Sequence, residues 1–211
     1  MTYSVKEIFY TLQGEGAQTG RPAVFCRFSG CNLWTGREQD RNGAVCTFCD
    51  TDFIGTNGEN GGKYKSAKIL AEFVASLWPN NNSGKPYVVC TGGEPLLQLD
   101  TALIDAFHAE GFEIAVETNG TIQAPQGIDW ICVSPKASAE IIQVTGSELK
   151  LVYPQEGNKP DDFEHLAFGS FYLQPLDNEQ VATNIQKTIA FCQAHPKWHL
   201  SLQTHKIIGI K

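Results

Sequence analysis

The sequence lacks any long apolar run, and no stretch approaches the about 18 uninterrupted apolar residues that a membrane-spanning helix needs. Its first residues, MTYSVKE, also lack the apolar core of a secretory signal. Internal repeats and low-complexity tracts are absent as well. We therefore expect a cytoplasmic protein with no membrane partner.

Positive charge is scarce. The chain has 16 Lys and Arg against 23 Asp and Glu, which gives a formal net charge of −7 at pH 7. The cations are scattered along the sequence, whereas proteins that bind nucleic acids gather theirs into basic patches. We therefore expect no nucleic-acid partner, and an anionic ligand would have to be bound by a few local cations.

Apolar residues, by contrast, are plentiful. They make up 42% of the 211 residues, which excludes a disordered chain, and this length suits one domain over residues 1–211. Short apolar runs alternate with amphipathic segments, which predicts an α/β fold with mostly parallel strands, open or rolled into a full or partial barrel. The predicted strands are 23–28, 87–90, 113–117, 130–133, 149–153, 171–173 and about 199–203; the predicted helices are 66–78, about 100–110 and 178–195; loops are predicted at 55–62 and 80–84.

Polar residues gather directly after four of the predicted strands. These groups are 91–94 (TGGE), 118–120 (TNG), 134–136 (SPK) and 174–177 (QPLD). In barrels and open sheets of parallel strands, the carboxyl ends of the strands form the rim of the active site. The placement therefore predicts an enzyme with its site at this edge of the sheet.

Three of the seven cysteines are clustered, at Cys31, Cys46 and Cys49. Three thiolates on a four-iron cluster would leave one iron open, which is typical of a catalytic centre. A four-cysteine zinc site that includes Cys26 is the alternative, although a position in the middle of a strand favours a core role for Cys26. We expect core roles for Cys90, Cys132 and Cys192 too.

Three motifs make the pattern more specific. Cys46-Thr47-Phe48-Cys49 has an aromatic residue before its last cysteine, 91–95 reads TGGEP, and 117–121 reads ETNGT. In this order they resemble the radical S-adenosylmethionine superfamily. The chain resembles the 7-carboxy-7-deazaguanine synthase family within it through YTLQGEG at 10–16, RF at 27–28, CDT at 49–51, SPK and QPLD. One departure is the spacing of 14 residues between the first two cysteines, where the superfamily has 3, which predicts an inserted loop at 32–45.

The resemblance implies a single-domain partial (β/α) barrel with a radical S-adenosylmethionine core. It implies conversion of 6-carboxy-5,6,7,8-tetrahydropterin to 7-carboxy-7-deazaguanine with loss of ammonia, by adenosyl-radical chemistry without a protein acid or base. The implied cofactors are a 4Fe–4S cluster, S-adenosylmethionine and Mg2+. The implied partners are the small pterin substrate, an electron donor such as flavodoxin, and a second copy in a homodimer.

Site residues follow from the same resemblance. The cluster ligands would be Cys31, Cys46 and Cys49, and Thr51 would bind Mg2+. S-adenosylmethionine would contact Phe48, Cys49, Asp50, Gly92, Gly93, Glu94, Ser134, Pro135, Lys136, Gln174, Pro175, Leu176 and Asp177. The substrate would contact Leu12, Gln13, Gly14, Glu15, Arg27, Thr91, Glu117, Asn119 and Lys211, with His205 and Lys206 helping to close the pocket.

Residue chemistry supports some of these roles. Gln13 and Glu15 can bind the donor–acceptor edge of a pterin, and the Glu94 carboxylate can accept from an ammonium group. Glycine at 92 and 93 allows close approach of a ligand to the backbone. Arg27 can bind a carboxylate with two parallel hydrogen bonds, although pairing with a structural acid is the alternative.

Two other functions stay open at this point. A glycyl-radical activating enzyme would share the cysteines and Gly93 but would act on a partner protein. A non-enzymatic zinc-binding module would contain zinc instead of iron and sulfide.

Overall fold

The computed structural model describes residues 1–79 and 84–211. The strands are β1 (Tyr3–Leu12), β2 (Pro22–Phe28), β3 (Gly62–Tyr64), β4 (Tyr87–Gly92), β5 (Glu113–Thr118), β6 (Trp130–Val133), β7 (Thr145–Tyr153), β8 (Ala167–Pro175) and β9 (Trp198–Leu200). The α-helices are α1 (Ala67–Leu77), α2 (Thr101–Ala109), α3 (Val181–Ala194) and α4 (Thr204–Ile208). Short 3-10 helices cover Gly16–Gln18, Glu38–Gly43, Pro95–Leu97 and Pro160–Phe163.

Within those residues, one sheet has the strand order β3-β1-β2-β4-β5-β6-β7-β8-β9. The β3–β1 and β1–β2 pairs are antiparallel, and every pair from β2 to β9 is parallel. The sheet ends at β3 and β9 without pairing them, so the barrel is partial. The predicted α/β fold with mostly parallel strands is confirmed.

Helices α1 and α2 cover one face of the sheet, as their apolar periodicity predicts. Ser66 caps α1 by accepting a hydrogen bond from the Ile69 N–H, and Asp100 caps α2 in the same way from Leu103. Leu70 and Leu103 are fully buried in the main core. Each such side chain contributes on the order of 2 kcal/mol by leaving water. The opposite face of the sheet is thereby left free for the site.

Several sequence predictions need correction. The first strand is β1, which the sequence pattern does not predict, and β3 begins inside the predicted loop 55–62. Helix α3 begins at Val181 rather than 178, β9 ends at Leu200 rather than 203, and α4 is not predicted. Residues 80–83 of the predicted loop 80–84 lie outside the described part of the chain.

The carboxyl ends of the parallel strands open on one side of the sheet. The residues that follow β2, β4, β5, β6 and β8 meet there, so the polar groups predicted to form a rim do share one edge. No helix in the described ranges has both the length and the apolar character needed to cross a membrane.

Candidate active site

A cavity of about 480 Å³ lies at this edge. Almost all the residues singled out from the sequence line it: Leu12, Gln13, Gly14, Glu15, Arg27, Cys31, Cys46, Phe48, Cys49, Asp50, Thr51, Thr91, Gly92, Gly93, Glu117, Asn119, Ser134, Lys136, Gln174, Pro175, Leu176, Asp177, His205, Lys206 and Lys211. Glu94 and Pro135 are the exceptions. The strands and loops therefore gather the predicted residues into one site.

Three cysteine thiols form one corner of the cavity. The Cys46 thiol donates a hydrogen bond to Cys49, which outweighs burial and lowers the pKa of Cys49 to about 6. The same contact, together with burial, raises the pKa of Cys46. The Cys31 sulfur accepts from the Leu33 N–H at 3.4 Å. All three thiols are free, as ligands of a metal centre must be.

The predicted zinc alternative fails on the position of Cys26. Its side chain is fully buried in the main core opposite Cys90 and does not line the cavity. Among the described residues, no group of three or more His, Cys, Asp or Glu side chains is placed to hold a single metal ion. A four-iron cluster differs in this respect, because each thiolate binds a different iron. The cysteine corner thus fits a cluster.

Cys132 is buried in β6, as predicted, and it also belongs to the lining of the cavity. Its register partners are Glu117 on β5 and Glu148 on β7. Burial raises the pKa of this thiol well above its ordinary value.

A side chain at Gly92 or Gly93 would collide with the protein backbone. A Cβ on Gly92 would lie 2.2 Å from the Phe28 carbonyl oxygen, and one on Gly93 would lie 2.1 Å from that of Gly30. Gly92 also has φ +136°, which L side chains rarely adopt. These glycines line the cavity, but the lack of a side chain is required by the segment that leads to Cys31.

Glu94 lies behind the cavity wall. It is fully buried and accepts from the Leu96 N–H at 3.0 Å, the Thr118 hydroxyl at 2.8 Å and the Asn119 N–H at 2.8 Å. Burial raises its pKa despite these bonds. The predicted bond to a ligand ammonium group is therefore corrected: the carboxylate ties the end of β4 to the turn after β5. Pro135 is buried outside the lining too.

The turn after β5 also holds the first cysteine loop. Asn119 donates to the side-chain oxygen of Asn32 at 2.9 Å, and Asn32 donates to the Thr121 hydroxyl at 2.7 Å. Asn32 directly follows Cys31. The ETNGT turn thus positions a cluster loop, in addition to lining the cavity through Asn119.

A buried network of charges forms the cavity floor. The Lys150 ammonium lies 2.5 Å from Glu15 and 3.4 Å from Glu117, and Gln13 donates to Glu117 at 3.0 Å. Burial opposes the charge on Lys150, but Glu117 and Glu15 outweigh it and hold the lysine pKa well above its ordinary value. Burial likewise opposes ionisation of Glu15, yet Lys150 lowers the carboxyl pKa to about 2. Glu15 and Lys150 are therefore both charged at neutral pH.

Lys150 is the principal residue that the sequence analysis missed. It lies in the run LKLVY, which the sequence predicts as a strand. Glu148 precedes it by two positions, so both side chains lie on the same face of β7. Two charged residues at this spacing in an apolar strand are the signal that could have identified it.

Arg27 has one bonded and one unbonded side. Its Nε donates to a Glu7 carboxylate oxygen at 2.9 Å, and its strand register places it between Glu7 and Thr91. Its terminal Nη groups make no hydrogen bond to the described part of the chain. The structural acid predicted as an alternative partner therefore exists, and it leaves both Nη groups available to a ligand.

The last residues form a wall across the cavity. The Lys206 ammonium contacts Asp50 at 2.7 Å and Asp177 at 2.5 Å, which joins the cysteine loop to the end of β8. The Gly14 carbonyl accepts from the Thr204 N–H at 3.0 Å. A Cβ on Gly14 would lie 2.2 Å from the His205 ring, so glycine is needed there for this packing.

Ser134 and Lys136 lie beside the cysteines. The Lys136 ammonium donates to the carbonyl oxygen of Ser134 at 2.6 Å and to its hydroxyl at 2.7 Å. Burial lowers the pKa of Lys136, and the nearby Cys46 and Cys49 oppose this effect. The Thr51 hydroxyl lines the cavity without a hydrogen-bond partner in the described ranges.

Comparison with known proteins gives consistent relatives, although no protein-family model matches the chain. The 7-carboxy-7-deazaguanine synthase of Caulobacter vibrioides is 63% identical over all of both chains, and that of Burkholderia multivorans is 58% identical over all of both. Among solved structures, QueE from Escherichia coli is 26% identical with a TM-score of 0.69, covering 97% of this chain and 95% of its own.

Proposed function

Because the chain belongs to the 7-carboxy-7-deazaguanine synthase family, we propose that it converts 6-carboxy-5,6,7,8-tetrahydropterin to 7-carboxy-7-deazaguanine with loss of ammonia. One observation carries this assignment. A single cavity combines three free thiols with Gln13, Glu15, Arg27 and Glu117, which are groups suited to a pterin that carries a carboxylate. Its volume is within the range of small-molecule sites.

Cys31, Cys46 and Cys49 would hold a 4Fe–4S cluster. Phe48, Ser134, Lys136 and residues 174–177 would hold S-adenosylmethionine beside it. When bound, these cofactors supply reductive cleavage of S-adenosylmethionine and removal of hydrogen from the substrate. The Lys136 charge, close to Cys46 and Cys49, favours their thiolate forms, which are the forms that bind metal.

The protein's own contribution is to orient the substrate. Gln13 and Glu117 offer an amide and a carboxylate on the cavity floor, and both are held by hydrogen bonds before a ligand arrives. The terminal Nη groups of Arg27 can bind the substrate carboxylate while Nε stays on Glu7. Such fixed geometry lowers the entropic part of the reaction barrier. The resemblance adds Mg2+ at Thr51, and the unpartnered hydroxyl in the cavity supports that placement.

The oligomeric state, the cellular location and the electron donor are proposed from the resemblance. We propose a homodimer in the cytoplasm that receives its electron from a donor such as flavodoxin. The ionised floor of the cavity suits a small polar heterocycle, and no feature of the site specifically favours the glycyl-radical alternative.

Anaerobic purification with iron and sulfide analysis is the first test. About four irons and four sulfides per chain are expected, and zinc in their place would refute the assignment. The loaded protein is then incubated with S-adenosylmethionine, Mg2+, a strong reductant and carboxytetrahydropterin. Mass spectrometry should detect 7-carboxy-7-deazaguanine with the wild type and not with Cys46→Ala. Iron loading without that product would refute the pterin substrate while keeping the radical chemistry.

A further inference from the structure

The inserted residues 32–45 fold back onto the cysteine corner. Trp34 is buried and packs edge-to-face on Phe53, with ring centroids 5.7 Å apart. The Leu33 carbonyl accepts from the Val45 N–H at 3.1 Å, which closes the insertion at its base. Its interior contains the 3-10 helix Glu38–Gly43. The insertion is therefore a packed unit with one aromatic side chain anchored in the protein.

Arg41 connects this unit to the cluster motif. Its Nη1 donates to the Thr47 carbonyl at 2.9 Å and to the Cys49 carbonyl at 3.1 Å. Its guanidinium lies 4.1 Å from the centroid of the Trp34 ring, and its Nε bonds Glu38 at 2.8 Å. One planar cation thus bonds two backbone oxygens of the Cys46–Cys49 turn while stacked on an anchored aromatic ring.

We propose that Arg41 is a positioning residue that holds the Cys46–Cys49 turn in the conformation that binds the cluster. The role rests on the proposed function in that the turn carries two of its three cluster ligands. Where only 3 residues separate the first two cysteines, that short segment would itself restrict the conformation of the cysteine loop. Here 14 residues separate Cys31 from Cys46, and the guanidinium restricts the turn instead.

Lysine cannot replace this arrangement. An ammonium group can bond a carbonyl, but it has no planar face to stack on Trp34 and no second arm to reach Glu38. The loss of a group that orients metal ligands costs about 10- to 100-fold in metal affinity. We therefore expect weaker iron retention in both variants, with Arg41→Lys between the wild type and Arg41→Ala.

The test compares Arg41→Ala and Arg41→Lys with Arg37→Ala. Arg37 belongs to the same insertion and carries the same charge, but its exposed side chain makes no bond to the described residues. Each anaerobically reconstituted protein is assayed for iron and sulfide, and then for the rate of iron loss to the chelator bathophenanthroline. Arg41→Ala should lose iron about tenfold faster than Arg37→Ala. Equal rates would overturn the proposal.

Folding is monitored by thermal melting of the cluster-free proteins. If Arg41→Ala melts at the wild-type temperature, faster iron loss reflects a change in the Cys46–Cys49 turn and not a loss of overall stability. If it melts lower, Arg41→Lys decides: faster iron loss at an unchanged melting temperature supports the proposal, and wild-type retention overturns it. A wild type that binds no iron would refute the proposed function, whereas a loaded, product-forming wild type with equal rates would refute the role of Arg41 alone.

Discussion

Replacing Lys150 by Met tests the charge network on the cavity floor. Lys150 is only 5% exposed and is flanked by Glu15 at 2.5 Å and Glu117 at 3.4 Å. Methionine keeps most of the length of the side chain but leaves two partly buried carboxylates without their cation. Breaking one partner of a buried ion pair costs about 3–5 kcal/mol, and we expect a loss of unfolding free energy in this range.

The pH dependence of the unfolding free energy should change sign in Lys150→Met. In the wild type, Lys150 lowers the pKa of Glu15 from its ordinary 4.5 to about 2. This difference corresponds to about 3 kcal/mol of stability, present above pH 4.5 and lost as the pH falls toward 2. In Lys150→Met, burial, the largest influence on Glu15, is opposed only by hydrogen bonds from Gln174 and Gln203, and we expect it to raise the pKa of Glu15 above its ordinary value. The variant should therefore gain stability as the pH falls from 7 to 5, where the wild type is nearly constant.

Chemical denaturation of the cluster-free protein at pH 5, 6, 7 and 8 measures both effects. Lys68→Met is the matched control, because that lysine is 81% exposed and pairs loosely with Glu72 at 3.7 Å. Lys68→Met should change the unfolding free energy by no more than about 0.5 kcal/mol. Adding Glu15→Gln to Lys150→Met should recover part of the loss. If Lys150→Met loses less than about 1 kcal/mol of unfolding free energy and does not gain stability as the pH falls from 7 to 5, the role given to Lys150 is refuted.

The remaining predictions concern the ligands. Cys46→Ala should lose the iron and the activity while Cys192→Ala keeps both, and full iron loading of Cys46→Ala would contradict the assignment. Arg27→Ala should lower kcat/KM by about 30-fold or more at normal iron content, with partial rescue by Arg27→Lys, and a normal kcat/KM in folded protein would contradict it. Thr51→Ala should weaken the Mg2+ dependence of turnover without iron loss; activity insensitive to chelation of divalent cations would count against this.

The sheet was predictable where its strands are buried on both faces. The run YVVC in β4 is wholly apolar and has few other interpretations. Strand β1 was missed because its sequence, YSVKEIFYTL, mixes buried apolar residues with Lys6 and Glu7. The two charged residues line the cavity, so the property that hides the strand is the one that makes it part of the site.

Gathering of the strand-end residues was also predictable, because parallel strands end at the same edge. The reason why a particular residue type stands at each of these positions was harder to predict. Gly93 was assigned to ligand approach, but the atom it approaches is the Gly30 carbonyl oxygen. Glu94 was assigned to a ligand, yet its hydrogen bonds go to Leu96, Thr118 and Asn119. Such partners are distant in sequence, and no local pattern identifies them.

The pairing of the cavity's cations indicates where a substrate carboxylate would bind. Lys150 is neutralised by two carboxylates on the floor, Lys206 by two at the far wall, and Lys136 donates to Ser134. A carboxylate that approached any of them would compete with bonds already formed. Arg27 differs because its geometry divides its donors, with Nε on Glu7 and both Nη groups unbonded within the described chain. Lysine at this position would have to share one ammonium group between Glu7 and the substrate, so it can replace the arginine only in part. The fork of a guanidinium lets one side chain bond a structural acid through Nε and a substrate carboxylate through both Nη groups.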